Sequence, residues 1–310
     1  MRSELLIGGE WRQGSEDGRI VVLDPSSDEP VAEVADGTPA DAIAACDAAE
    51  AAQLAWAATA PRVRSEILRS CWQIMLDHSE ELASLIVREH GKPMVDAKGE
   101  IAYSAEFFRW NAEETVRIRG EIGTAPAGAN KIIVHHPPVG VVLMVTPWNF
   151  PAAMITRKLA PALGAGNAVV IKPPREAPLT ALRIADLLQE AGVPPGLVNV
   201  VPTSTSGAWF DAAVEHRAVR MLSFTGSTEV GRVLLRRAAD RVLKTVMELG
   251  GNAPFIVFDD ADLDAALPFL VGACIQNAGQ TCSASSRVLI QRGVYDDLVA
   301  RMGDSYNGMM

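Results

Sequence analysis

The chain has 310 residues, of which 48% are hydrophobic and 21% charged, and its formal net charge is -10. A chain of this size and composition can bury more than one core, so we expect two domains. The acidic balance argues against a general binder of nucleic acid or of anionic membranes, because both need clustered Lys and Arg. The N-terminal apolar run is too short for a signal peptide and no later run is long enough to span a bilayer, so we expect a cytoplasmic protein.

The cysteine and histidine spacings predict neither a disulfide framework nor a metal site. His135 and His136 have no partner motif in the sequence, and we interpret them as surface residues rather than metal ligands. The four cysteines are therefore expected to be reduced thiols; they are Cys46, Cys71, Cys274 and Cys282.

The N-terminal part of the chain is expected to be helical before it turns into a hairpin. Residues 41–88 are rich in Ala, and apolar residues recur at spacings of three and four, among them Ile67, Cys71, Ile74 and Met75. This pattern predicts surface helices on a core. Residues 124–130 then join two short extended stretches, which predicts a β-hairpin.

Beyond Pro138 the pattern alternates between strands and helices. The alternation predicts an α/β fold with a doubly wound parallel sheet, whose ligands bind at the carboxyl ends of the strands. A second domain is predicted to begin with residues 254–258, and a helix over residues 262–276 leads to the loop of Cys282. The strands of the first domain are predicted at residues 141–145, 168–171, 198–201 and 221–224, with helices beginning at Ala152, Leu179 and Thr228.

Two short polar loops carry a carboxylate and a thiol. Glu248 begins the run ELGGNAP at the end of a strand, and Cys282 ends the run NAGQTC in a small polar turn. A thiolate is a strong nucleophile toward a carbonyl carbon and a glutamate can accept protons, so the pair suggests covalent acyl chemistry. Taken alone, a Glu at a strand end is most often a solvated charge. Cys274 lies in the middle of a helix and is interpreted as a packing residue.

Three further positions suit a ligand at the carboxyl edge of the sheet. The Asn149 amide follows a strand and can donate to an oxyanion, although a turn-capping amide is an equally ordinary interpretation. Lys172 places an ammonium at a strand end, where a nucleotide would lie. Residues 226–231 open a helix whose free N–H groups can meet a pyrophosphate, but they match neither the GxGxxG fingerprint nor a P-loop.

Four segments, in this order along the chain, resemble those of the aldehyde dehydrogenases, and their sequences are most similar to the succinate-semialdehyde dehydrogenase branch. They read VTPWNFPAAMITRK, FTGSTEVG, MELGGNAPFIVFDDADLD and NAGQTCSASSR. The resemblance implies that Cys282 attacks an aldehyde, Asn149 holds the oxyanion, and Glu248 activates the water that hydrolyses the thioester. The implied reaction is the NAD(P)-dependent oxidation of an aldehyde to a carboxylic acid.

The resemblance also implies the cofactor and substrate residues. Arg175 stands where NAD-preferring relatives usually carry Glu, which favours NADP over NAD, although a surface Arg without a ligand is an alternative. Arg157 matches one of two arginines that bind the distal carboxylate of a semialdehyde. Gln276 stands in place of the other, so another small or hydroxylated aldehyde is an alternative substrate. The cofactor residues implied are Thr146, Pro147, Trp148, Lys172, Arg175, Gly226, Ser227 and Leu249.

These assignments divide the chain into four parts. Residues 1–120 and 139–248 form an NAD(P)-binding domain, residues 121–138 an oligomerisation hairpin, and residues 249–302 the beginning of an α/β catalytic domain. Residues 303–310 no longer resemble the family, whose members continue further, so we expect a C-terminally truncated chain that would be a homo-oligomer at full length. An inactive fragment that only binds dinucleotide is the alternative function. An independent cysteine hydrolase is weaker, because no His motif accompanies Cys282.

Overall fold

The computed structural model describes residues 2–308, and these form two compact units. The first unit contains the residues up to Thr225 together with Gly231–Met247. The second contains Gly226–Val230 and the residues from Glu248 on. The sequence predicts a domain boundary after Glu248, with residues 226–230 in the first domain.

The strands and helices alternate along most of the chain. The strands are β1 (Leu5–Ile7), β2 (Glu10–Arg12), β3 (Arg19–Leu23), β4 (Pro30–Ala35), β5 (Glu121–Thr124), β6 (Lys131–Val134), β7 (Val141–Val145), β8 (Ala168–Lys172), β9 (Val198–Val200), β10 (Val219–Gly226), β11 (Lys244–Leu249), β12 (Pro254–Val257) and β13 (Arg287–Ile290). The helices are α1 (Pro39–Ala58), α2 (Pro61–Asp77), α3 (Ser79–His90), α4 (Met94–Thr115), α5 (Ala153–Gly164), α6 (Leu179–Glu190), α7 (Ser206–Glu215), α8 (Thr228–Asp240), α9 (Leu263–Ile275) and α10 (Arg292–Asn307).

The main sheet has seven strands in the order β11-β10-β7-β8-β9-β1-β2. Its centre is parallel: β7 pairs with β8 from Val141↔Ala168 to Val145↔Lys172, and β10 pairs with β7 on the other side. The two central strands read VVLMV and AVVIK and are almost wholly buried, as expected when helices cover both faces of a parallel sheet. The predicted doubly wound α/β fold is confirmed. The order also brings the carboxyl ends of β7, β8 and β10 to one edge.

The N-terminal helical region is longer than the sequence analysis predicted. Residues 41–88 lie within three helices, and Cys71 and Met75 are fully buried as the spacing indicated. The sequence analysis placed no element over residues 89–119, where α4 lies. The first helix begins with a capping box, because the Asp41 amide donates to the Thr38 hydroxyl at 3.4 Å and the Thr38 amide donates to Asp41 at 3.0 Å.

Strands β5 and β6 form the predicted antiparallel hairpin, with Glu121 opposite Val134 and Thr124 opposite Lys131. All eight strand residues are exposed. Ile122 is 75% exposed and Ile133 60% exposed, so the hairpin presents a large apolar surface. Apolar surface of this kind marks an interaction site more often than an ordinary solvated edge.

The second unit has a small core of its own. Strands β12 and β13 pair in parallel, and α9 and α10 contribute Leu270 and Leu298, which are buried with Val257. The Asp262 carboxylate caps α9 by accepting from the Ala265 amide at 3.1 Å. The last helix runs through Gly303 without a break, so the start of the predicted tail is not a structural boundary. Among residues 2–308, no helix is long and apolar enough to cross a membrane.

Candidate active site and cofactor cavity

A cavity of about 290 Å³ opens at the carboxyl edge of the first unit's sheet. Five of the predicted cofactor residues line it, where β7 and β8 end. The remaining wall comes from the loop after β8 and from the start of α7. The lining residues are Thr146, Pro147, Trp148, Lys172, Pro174, Arg175, Glu176, Ser204 and Ser206.

Lys172 supplies a largely buried cation to this cavity. Its side chain donates to the Pro173 carbonyl at 3.2 Å, and among the described residues Pro173 is its only hydrogen-bond partner. Burial lowers the pKa of Lys172, while the nearby Glu176 carboxylate acts to raise it. An ammonium has three donors, so this one retains capacity for an oxygen of a ligand.

The Thr146 hydroxyl is a second feature of the cavity that suits a polar ligand. Its oxygen is buried and has no hydrogen-bond partner within residues 2–308. A buried hydroxyl without a partner costs free energy, typically about 1–3 kcal/mol, unless a ligand or water satisfies it. The residues present therefore fit the sugar and phosphate oxygens of a dinucleotide.

The outer part of the cavity combines an ion pair with a helix N-terminus. The Arg175 guanidinium lies 3.1 Å from the Glu176 carboxylate, and both side chains are mostly exposed. The α7 helix begins at Ser206, so its first N–H groups and the positive end of its dipole lie at the cavity. The preceding Ser204 is fixed by Asp36, whose carboxylate accepts from both the amide and the hydroxyl of Ser204.

The sequence analysis missed Pro174, Glu176, Ser204 and Ser206. The signal was present, because VPTSTS follows β9 and the rule that ligands bind at strand ends applies there as it does after β7. Glu176 directly follows Arg175, so a guanidinium in this loop already has a counter-ion.

Two buried residues fix the loop that contains Asn149. The Glu100 carboxylate accepts from the amides of Ala152 and Ala153 at 2.9 and 3.1 Å, and so caps the first turn of α5. Its other oxygen is paired with Lys92, whose ammonium also donates to the Asn149 carbonyl at 3.1 Å. Both charged side chains are almost completely buried. The backbone of Asn149 is therefore held by a charge pair rather than by loop contacts alone.

Glu89 anchors the second cavity loop in the same way. Its carboxylate accepts from the amides of Leu179 and Thr180 at 2.7 and 2.8 Å, and also from the Thr180 hydroxyl. These bonds cap α6, which follows the loop of Lys172 and Arg175. Burial raises the pKa of Glu89 to about 7, against the hydrogen bonds, which act to lower it. Residues 89–100 thus anchor both loops that line the cavity.

Arg157, the predicted substrate residue, is half-buried on α5 in the first unit. Its guanidinium carbon lies 5.8 Å from the centroid of the Phe107 ring. A cation–π contact of this kind restrains a guanidinium without using its N–H donors. The donors therefore stay available for an anion.

The second unit contains the predicted nucleophile and general base. Cys282 is exposed, whereas Cys46 and Cys71 are buried and burial raises the pKa of each thiol to about 12. Cys274 is half-buried rather than fully buried. Glu248 is exposed, so the partial burial that would suit a general base is absent at this position. The carboxylate lies near the end of β11, a strand in which most residues are exposed.

Local backbone geometry shapes two loops of the second unit, the one that leads to Cys282 and the one that contains Gly250. Asn277 and Ala278 have φ values of 53° and 55°, a left-handed conformation that is costly for Ala and typical of functional loops. The Gly226 carbonyl accepts from the Gly250 amide at 3.1 Å, and the Ser227 hydroxyl accepts from the Val230 amide at 3.2 Å. Leu249, also predicted at the cofactor, is exposed.

The sheet topology and the cation-lined cavity at its carboxyl edge define a doubly wound α/β protein of the nucleotide-binding type. The chain belongs to the aldehyde dehydrogenase family, whose sequence model matches residues 11–309. That match includes residues 303–309, which the sequence analysis had placed outside the family.

Named relatives and solved structures agree with this membership. The chain is 49% identical to succinate-semialdehyde dehydrogenase of Paenarthrobacter nicotinovorans, over 87% of this chain and 60% of that protein. It is 44% identical to succinate-semialdehyde dehydrogenase (NADP(+)) GabD of Escherichia coli (strain K12), over 97% of this chain and 62% of that protein. A crystal structure of succinate-semialdehyde dehydrogenase from Burkholderia pseudomallei superposes with a TM-score of 0.97 at 42% identity, covering 99% of this chain and 64% of that one. The chain thus spans a little over three fifths of these relatives' length.

Proposed function

We propose that this chain takes part in the NADP-dependent oxidation of a small aldehyde to a carboxylic acid, as a succinate-semialdehyde dehydrogenase-like protein. The observation that carries the proposal is the cavity at the carboxyl edge of the sheet. Lys172 and Arg175 line it, and the Thr146 hydroxyl in its wall has no partner among residues 2–308. The named relatives support the same reaction, since all three are called succinate-semialdehyde dehydrogenases.

The cavity wall favours NADP over NAD. A guanidinium has only donors, so Arg175 suits a 2′-phosphate better than a free 2′-hydroxyl. The N-terminus of α7 at the same cavity adds a positive end that also favours an anion. When bound, the oxidised nicotinamide accepts the hydride that leaves the substrate carbon.

The chain's own residues would carry the covalent chemistry. The Cys282 thiolate forms a bond to the aldehyde carbon, and the Asn149 amide donates to the oxygen that becomes negative. After oxidation, Glu248 accepts a proton from the water that cleaves the thioester and frees the thiol. Removing one oxyanion donor typically costs about 2.7–4 kcal/mol in the transition state, which is why the fixed backbone at Asn149 matters.

The substrate we propose is a short aldehyde with a distal carboxylate. Arg157 supports this, because its guanidinium is restrained by Phe107 while its donors remain available. Gln276, at the position of the second expected arginine, favours the alternative of a small or hydroxylated aldehyde. We also propose that the exposed apolar hairpin of β5 and β6 mediates homo-oligomerisation of the complete protein.

Paired substrates test the substrate proposal. Succinate semialdehyde and butanal have the same carbon skeleton and differ in the distal carboxylate. Arg157→Gln should raise KM for succinate semialdehyde by about tenfold, because it removes a charge-assisted hydrogen bond to the carboxylate. The same change should leave KM for butanal within about twofold of the wild-type value. Arg109→Gln, which removes an exposed guanidinium from the neighbouring helix α4, is the matched control. Equal effects of Arg157→Gln on both aldehydes would exclude Arg157 from carboxylate binding and favour the uncharged alternative.

A further inference from the structure

The Arg175–Glu176 ion pair stands at the mouth of the cavity and bears on which dinucleotide is accepted. Both residues line the cavity, and their side chains are 62% and 55% exposed. Because the pair is this exposed, water competes for both groups and the interaction is weak. A phosphate dianion can therefore displace the Glu176 carboxylate from Arg175, but it must do so against a negative charge that stays nearby.

Glu176 also acts on the second cation of the cavity. Its carboxylate raises the pKa of Lys172, while the Arg175 guanidinium lowers it, so all three charges lie within electrostatic reach of one another. The other carboxylate near this wall, Asp36, is already occupied by the amide and hydroxyl of Ser204. Among the described residues that line the cavity, Glu176 is the one carboxylate, so it is the acidic group that an incoming phosphate meets there.

We propose that Glu176 is an internal counter-ion that competes with a 2′-phosphate for Arg175 and so sets the balance between NADP and NAD. The inference rests on the proposed function, since it assumes that the cavity binds the adenosine half of a dinucleotide. With NADP, Arg175 leaves Glu176 and pairs with the phosphate. With NAD, the ion pair persists, and a carboxylate oxygen can accept a hydrogen bond from the free 2′-hydroxyl. Glu176 thus penalises one cofactor and supports the other.

Equilibrium binding to the purified chain tests the proposal without relying on turnover. The dissociation constants of NADP+ and NAD+ would be measured by calorimetry for the wild type, Glu176→Gln, Arg175→Gln and the double variant. Glu50→Gln is the matched control, because Glu50 forms an Arg–Glu pair of the same 3.1 Å length with Arg217 and does not line the cavity. Circular dichroism would establish that each variant is folded.

We expect Glu176→Gln to tighten NADP+ binding about threefold to tenfold, because it removes both the competing ion pair and the repulsion of the phosphate. The same change should weaken NAD+ binding slightly, because the charged acceptor for the 2′-hydroxyl is lost. The same change should have a smaller effect in the Arg175→Gln background, because the competition is for Arg175. The gain should also shrink at high salt.

Three outcomes would overturn the inference, and they are distinguishable. If the wild type binds both dinucleotides and Glu176→Gln leaves the ratio of their dissociation constants unchanged, the counter-ion role is wrong while the proposed function stands. If the folded wild type binds neither dinucleotide, the proposed function itself fails, and the inference with it. A change in the ratio with Glu50→Gln would also contradict it, since it would show a nonspecific effect of charge.

Discussion

Replacing Lys92 by Met should strongly destabilise the first unit, because it breaks a buried ion pair beneath the Asn149 loop. The ammonium is paired with Glu100, donates to the Asn149 carbonyl at 3.1 Å, and lies 3.9 Å from the centroid of the Phe150 ring. Met preserves most of the side-chain volume, so the change removes charge rather than packing. The Glu100 carboxylate would remain buried, with only the two amides at the start of α5 as partners.

The size of the effect follows from this geometry. The side chains of Lys92 and Glu100 are 0% and 1% exposed, so neither charge can recover its hydration once the other is removed. Breaking such a pair costs about 3–5 kcal/mol of unfolding free energy. Glu100→Gln should cost a similar amount, because it leaves the ammonium unpaired. The double variant should be more stable than the sum of the two changes implies, by an interaction free energy of about 0.5–3 kcal/mol.

Guanidinium unfolding followed by tryptophan fluorescence measures these free energies. The signal reports on the first unit alone, because all six tryptophans belong to it: Trp11, Trp56, Trp72, Trp110, Trp148 and Trp209. Lys98→Met is the control, since Lys98 pairs with Glu80 on the exposed surface and should cost less than about 1 kcal/mol. Equally small decreases in unfolding free energy for Lys92→Met and Lys98→Met, or fully additive decreases in the Lys92→Met, Glu100→Gln double variant, would refute the role of the buried ion pair.

The remaining predictions concern buried titratable groups and thiol access. Since burial raises the pKa of Glu89 to about 7 from the 4.5 of an unfolded chain, stability due to this group should be lost as pH rises from about 4.5 to 7. Melting temperatures of Glu89→Gln across that range should lack this decline; parallel curves would contradict the prediction. Burial lowers the pKa of His90 to about 4, so the stability that the neutral imidazole contributes should be lost as pH falls from about 6.5 to 4. In the same experiment, the melting temperature of His90→Phe should fall less over this acidic range. Iodoacetamide should label the exposed Cys282 in the native chain, while Cys46 and Cys71 should react only after unfolding. Labelling of either buried thiol in the native chain, detected by mass spectrometry, would contradict this prediction.

The parallel sheet and half of the cavity wall could be predicted from the sequence because both depend on local patterns. Short apolar runs alternating with helices indicate a parallel sheet, and the residues after each run then lie at its carboxyl edge. This rule predicted Lys172 at the site, whereas Thr146 was implied by the family resemblance. The same rule, applied after β9, would have added Ser204 and Ser206.

The anchors of the cavity loops could not be predicted because they depend on contacts between distant residues. Glu100 caps a helix that begins 53 residues later, and Glu89 caps one that begins 90 residues later. In the sequence both occur in a charged stretch, REHGKPMVDAKGE, which has the composition of a solvated helix surface. Only the packing of α4 on α5 and of α3 on α6 shows that these carboxylates are buried. Glu248, which the family resemblance implies is the general base, is by contrast exposed.

The central proposal is that the Cys282 thiol is the nucleophile in the oxidation of the aldehyde, while the cavity of Lys172 and Arg175 binds NADP+, the hydride acceptor. The most direct measurement is the formation of NADPH from NADP+ and succinate semialdehyde, followed by absorbance, with the wild type and Cys282→Ala. Calorimetric binding of NADP+ would be measured on the same samples. The account predicts NADPH from the wild type, none from Cys282→Ala, and equal NADP+ affinity in both. NADPH formed at the same rate by Cys282→Ala, or a folded wild-type chain that binds NADP+ yet forms no NADPH, would contradict it.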